Sequence, residues 1–208
     1  MRAVTTLAVA GMVALLTSTA QATTINGAET ADNYFSTYLS TNDNVLGTLV
    51  DSGNNWPSTY TFSSLLTPGV TNYLHVVPGN GGGPKGYIGS FTLSDALFQF
   101  ANGTQSIYTD TTNWKASGSD GSAWFLPTGT PQSFAVNGAS PWGSFAGINS
   151  NANWIWSNPT GVGDIAFIST PINFIRQPST DVPEPSTLLL LGSGLAGPFL
   201  RRRREPKA

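Results

Sequence analysis

NYLHVVPGNGGGPKGYIGSFTL, residues 72–93, is the stretch whose reading decides the fold. Asn72 to Val77 and Tyr87 to Leu93 are short runs with β-branched and aromatic residues, the composition of strands. Between them Pro78 to Pro84, PGNGGGP, is a cluster of turn formers and a surface loop. Within the first run His75 alternates with Leu74 and Val76 and so faces away from them. The same pattern continues outward, with strands expected at Tyr34 to Thr41, Val45 to Asp51, Thr59 to Leu66 and Asp164 to Thr170. Turn clusters separate them, such as DSGNN at 51–55 and SGSDGS at 117–122. Helical periodicity is nearly absent; Ser94 to Phe100 is a brief candidate that fits a strand as well. The expected fold is all-β, an antiparallel β-sandwich or jelly roll over residues 23–171. Ile172 to Asp181 reads as a last strand running into a spacer, so residues 172–181 are taken as the link to the C-terminal segment.

Composition narrows the function classes. Charged residues make up only 10% of the 208-residue chain, and Gly (23), Pro (14), Ser, Thr and Asn take their place. Six Trp, eleven Phe and six Tyr are too many for a disordered chain. From Thr23 to Asp181 nine acids face only Lys85, Lys115 and Arg176, a net charge of about −6. That surface carries no footprint for nucleic acid. The absence of cysteine removes disulfides, thiolate metal sites and a cysteine nucleophile.

Both ends read as processing signals. Arg2, an apolar run from Ala3 to Leu16, and Ala20-Gln21-Ala22 form a signal peptide over residues 1–22, with signal peptidase as the expected partner and Thr23 as the mature N-terminus. At the other end, Ser186 to Leu200 is a low-charge run that would span roughly 22 Å as a helix. This is short of the roughly 30 Å hydrocarbon core, and Gly192, Gly194, Gly197 and Pro198 weaken it further. Arg201, Arg202, Arg203 and Arg204 would stop it at the cytoplasmic face. The expectation is a short transmembrane helix at 186–200 with a basic tail at 201–208.

Val182-Pro183-Glu184-Pro185-Ser186, followed by that apolar run and the arginines, resembles the PEP-CTERM protein-sorting signal over residues 182–208. The resemblance implies an exported protein of an exopolysaccharide-producing Gram-negative bacterium. Its expected partner is exosortase, a membrane enzyme that recognises Pro183, Glu184 and Pro185 and removes the tail. The chain would be anchored in the inner membrane before sorting and then pass to the cell envelope or outside. Two prolines keep the backbone extended around the single carboxylate, available to a basic enzyme pocket.

A second resemblance lies upstream. ADNYFSTYL (31–39), GTLVDSGNNW (47–56) and ANWIW (152–156) are similar to the galactose-binding-like sandwich. This implies a strand at Tyr34 to Leu39 pairing with one that carries Gly-x-x-Val, and a Trp closing the next turn. Such folds often serve as carbohydrate-binding modules, although the fold does not by itself confer binding.

Several residues are candidates for a site. Asp32 and Asp43, with their neighbouring Asn residues, are oxygen donors of the kind that holds a structural Ca²⁺, though such clusters also form turns. No other cofactor is expected. Trp56, Trp114, Trp124 and Trp142 lie in turn-rich segments and are candidates for an exposed aromatic platform, whereas Trp154 and Trp156, at i and i+2, read as core on one strand face. His75 is the single histidine, and no G-x-S-x-G elbow is present. The expected function is therefore non-enzymatic display of the sandwich for adhesion, matrix assembly or binding of exopolysaccharide in a biofilm. The alternative is a secreted hydrolase of polysaccharide or protein; Asp51, Asp95, Asp110, Asp120 and Asp164 remain available as acid–base pairs for it.

Overall fold

The computed structural model describes residues 22–121, 123–157 and 163–175. The strands are β1 (Thr24–Asp32), β2 (Tyr34–Ser40), β3 (Thr48–Gly53), β4 (Tyr60–Leu65), β5 (Asn72–Gly79) and β6 (Gly86–Leu93). They continue with β7 (Phe98–Phe100), β8 (Ser106–Tyr108), β9 (Lys115–Ser119), β10 (Gln132–Val136), β11 (Asn153–Trp156) and β12 (Ile165–Phe174). Among the described residues there is no helix. The signal peptide, the sorting motif Val182 to Ser186, the apolar run and Arg201 to Arg204 all lie outside them.

Two antiparallel six-stranded sheets face each other. The first runs β10-β11-β6-β1-β4 with β8 also on β6; the second runs β3-β2-β5-β12-β7 with β9 also on β12. This is the expected sandwich. Among the described residues, all twelve strands pair with one another within residues 24–174. Strand alternation sends Ile25, Phe35, Leu74, Val76, Tyr87, Phe91 and Ile168 into the layer between the sheets. Each such fully buried side chain contributes about 1.5–3 kcal/mol relative to exposure.

The pairing of β2 with β3 and the turn that carries Trp56 follow the expected order. Other details differ. β3 begins at Thr48 rather than Val45, because Asn42 to Val45 closes a turn through Val45 N–H donating to the Asn42 carbonyl. β12 continues to Phe174, three residues into the stretch read as spacer, and Ile172 is fully buried. Pro171 is tolerated inside β12 because it falls between the segment paired with β9 and the segment paired with β7.

The outer face of the first sheet carries its own apolar layer. Ile88, Trp142, Phe145, Ile148, Ala152 and Trp154 cluster there beneath the connection from β10 to β11. Trp154 packs in this outer cluster and Trp156 against the inner one, and both are fully buried, as expected of core residues. β11 is only four residues long and meets β6 at the single pair Ile155–Tyr87. Both of its faces are covered.

Candidate functional site

The outer apolar layer ends in a hollow beside the start of β2. On β1, Ala28, Thr30 and Asp32 alternate with the inward residues, which places Asp32 on the outer face. Its Oδ2 accepts the indole N–H of Trp142 at 2.9 Å. Trp142 stacks in turn on Trp154, with ring centroids 4.4 Å apart and planes 15° from parallel. Trp56, 37% exposed, reaches the same place from the turn after β3, where its carbonyl accepts the Thr30 hydroxyl at 3.1 Å. The cavity so formed measures about 250 Å³ and is walled by Asp32, Asn33, Trp56, Gly82, Pro84, Pro141 and Trp142.

The loop after β5 closes one side. Asn33 Oδ1 accepts the Gly81 N–H at 2.6 Å, and Asn33 N–H donates to the Gly79 carbonyl at 2.9 Å. Gly82 takes φ +129° with no neighbour within 4 Å of where a Cβ would stand, so this wall is bare backbone. Behind the pocket, Gly86 lets the stacked indoles approach the sheet. A Cβ there would lie 2.7 Å from Trp154 Cε3 and 3.3 Å from Trp142 Cζ2. Gly86→Ala is expected to destabilise the fold by about 1–3 kcal/mol, seen as a lower urea midpoint, because the buried Trp154 has no room to yield.

Of the four tryptophans expected on an exposed platform, the structure brings Trp56 and Trp142 to one cavity, but Trp142 is only 8% exposed, packed in the outer apolar layer with one face on Trp154. Trp114 is 0% exposed and belongs to the inter-sheet core; it is not a platform residue. Its indole N–H donates to the Tyr108 carbonyl at 3.0 Å, which removes the cost of burying that donor. Trp124 sits on the outer face of the second sheet, where it covers His75 at 4.3 Å and touches Phe167 at 5.0 Å. Its N–H goes to the Asp43 carbonyl.

Asp32 and Asp43 do not share a cation site. They flank β2 at opposite ends, and its seven residues separate them by roughly 20 Å. Asp43 Oδ1 instead accepts from His75 Nε2 and from Ser169 Oγ, both at 2.8 Å. His75 Nδ1 lies 3.1 Å from the Leu46 carbonyl oxygen. Asp43 thus bridges the Ser169 hydroxyl and the imidazole, and Ser169 donates to the aspartate rather than to the ring.

A second carboxyl cluster lies between the sheets. Glu29 on β1 is fully buried, and its Oε2 accepts the hydroxyls of Tyr87 and Thr37. Its Oε1 and Asp51 Oδ2 have no other partner. Burial, above all, pushes the Glu29 carboxyl up to about 8, with the neighbouring Asp51 adding to the rise. A proton held on Glu29 supplies the donor that two ionised carboxylates would lack. Burial raises Asp51 as well. Nothing in the sequence signalled this cluster, since Glu29 reads as one polar residue in a weakly patterned run.

A larger groove of about 370 Å³ runs along the sandwich edge, with Thr48 and Val50 of β3 on one side and Ser64 and Leu65 of β4 on the other. It has neither an aromatic nor a charged wall, so its chemistry offers less to a ligand. Among the described residues no group of three metal-binding side chains is present.

The described fold therefore defines an antiparallel β-sandwich with one aromatic, carboxylate-bearing pocket. The tail places it more narrowly: residues 181–204 match the PEP-CTERM protein-sorting motif. The chain is thus an exported protein with a C-terminal sorting signal, and exosortase is its processing partner. No curated protein and no solved structure matches the chain.

Proposed function

We propose that the sandwich is a carbohydrate-binding cargo, displayed at the envelope or in the extracellular matrix and engaging exopolysaccharide through the Trp56–Trp142 pocket. The observation that carries this reading is the convergence of two indoles, a carboxylate and an amide on one cavity of about 250 Å³. A pyranose has an apolar C–H face for an indole and hydroxyls for the polar groups, and this mixture of walls suits it. Cavities for drug-sized ligands are about 300–1,000 Å³, so this one takes a single sugar residue. The galactose-binding-like resemblance belongs to the same reading, because the first two of its three segments are those that deliver Asp32 and Trp56.

Binding is favoured over hydrolysis by how the carboxylates are used. Asp95 accepts the Thr23 hydroxyl and the Leu97 N–H; Asp110 holds Thr112 and Asn113; Asp164 pairs with Lys85. Glu29 and Asp51 are close together, but Glu29 is sealed in the core. A glycosidase needs two carboxyls reaching one accessible sugar bond. Asp32 alone lines the pocket.

A glycan array probed with the chain from Thr23 to Asp181 tests this reading. Wild type is expected to mark a coherent set of glycans. Trp56→Ala should weaken their binding by about 2 kcal/mol, roughly thirtyfold, as for a central aromatic anchor. A blank array with wild type would remove carbohydrate binding as the function.

A further inference from the structure

Asp32 is buried to 6% exposure, and among the described residues its one side-chain partner is the Trp142 N–H. A cation would complete this carboxylate, which an indole N–H holds at the cavity wall. None of the described ion pairs does so; they join His75 to Asp43 and Lys85 to Asp164. Lys85, which follows the pocket's glycine-rich wall, is committed elsewhere. Its Nζ lies 2.8 Å from Asp164 Oδ1 and donates to the Gly163 carbonyl at 2.9 Å.

The other walls point the same way. The faces of tryptophan attract ammonium groups, and indoles arranged beside a carboxylate form a cage for an organic cation. No lysine or arginine lines the cavity to receive an anion. The net charge of about −6 from Thr23 to Asp181 repels acidic polymers and attracts basic ones.

We propose that the pocket selects an amino sugar with a free, protonated amine, so that the ligand is a cationic, unacetylated hexosamine residue of a polysaccharide. The ammonium pairs with Asp32, and Trp56 and Trp142 flank the ring. A metal ion is a poorer occupant, because Asp32 is the single carboxylate at the cavity and no three-ligand group is present among the described residues. This inference rests on the sugar-binding reading and narrows it to one class of sugar.

Calorimetric titration of the Thr23–Asp181 chain at pH 6, where the amine is charged, tests the proposal with three ligands of equal length. They are glucosamine oligomers, their fully N-acetylated counterparts and neutral glucose oligomers. The free-amine oligomer is expected to bind at least about tenfold tighter than the other two, and Asp32→Asn should bring all three to similar affinity. Changing the ligand rather than the protein keeps the comparison independent of folding. Equal or tighter binding of the acetylated or neutral oligomers overturns the amine preference and leaves the sugar pocket standing. Tight binding of the free-amine oligomer that survives Trp56→Ala also overturns it, since long-range attraction to an acidic surface would then suffice. No binding by any of the three removes both readings.

Discussion

Replacing Glu184 with Ala is expected to leave the chain with its tail intact and held in the inner membrane of the native host. Residues 181–204 match the PEP-CTERM sorting motif, and Glu184 is the one acid in that stretch besides Asp181. Pro183 and Pro185 flank it in the sequence. In the reading that the processing enzyme recognises Pro183-Glu184-Pro185, the substitution deletes the single charge of that element. The effect should be close to all-or-none. Intact-mass analysis of the C-terminus reads it directly: wild type should end upstream of the arginines, and Glu184→Ala should end at Ala208. A wild-type protein that still ends at Ala208, or a variant trimmed like wild type, would contradict exosortase processing.

The second large effect is a pH dependence built into the core. Burial lifts the Glu29 carboxyl from 4.5 to about 8. Between those values the folded chain holds a proton that the unfolded chain has released. Stability from this group is therefore complete below about 4.5 and is lost as the pH rises through about 8. At about 1.4 kcal/mol per pH unit the total is on the order of 5 kcal/mol. The raised Asp51 carboxyl acts in the same direction, as does the raised Tyr87 hydroxyl at more alkaline pH. Glu29→Gln should flatten the curve, because its amide oxygen can still accept from Tyr87 and Thr37 while its N–H faces Asp51. Urea unfolding at pH 5, 7 and 9 is expected to show wild type losing stability steadily and the variant overtaking it by pH 9. Parallel curves for the two proteins would refute the proton on Glu29.

The β5–β6 region was legible because Leu74 and Val76 alternate with His75 and the glycines and prolines of PGNGGGP mark a turn, although β5 runs on through Pro78 and Gly79 to pair with β2. β1 was not, although it is the strand between β6 and β4. Its inward positions hold Gly27 and Glu29 where a pattern reader expects apolar side chains. The Phe62 ring fills the space left by Gly27, and Glu29 is accepted because it is hydrogen-bonded. Both compensations come from residues distant in sequence.

The site divides along the same line. Trp56, Trp142 and Asp32 were recognisable as candidates, yet nothing local separated them from Trp114, Trp124 and Asp43. What sorts the tryptophans is the layer to which long-range packing delivers each one: Trp114 lies between the sheets, Trp124 covers His75, and Trp142 meets Asp32 from 110 residues away. Phe134, 40% exposed and edge-on to Trp142 with ring centroids 6.5 Å apart, extends the aromatic surface from β10 and was not singled out beforehand.

The central claim is that sugar enters between Trp56 and Trp142. The most direct measurement follows the indole N–H resonances of the ¹⁵N-labelled Thr23–Asp181 chain during titration with an oligosaccharide drawn from the glycan array. The signals of Trp56 and Trp142 should shift together and saturate, while those of Trp114 and Trp124 stay in place. Saturable binding that leaves Trp56 and Trp142 unmoved, or that moves Trp124 instead, would contradict the account.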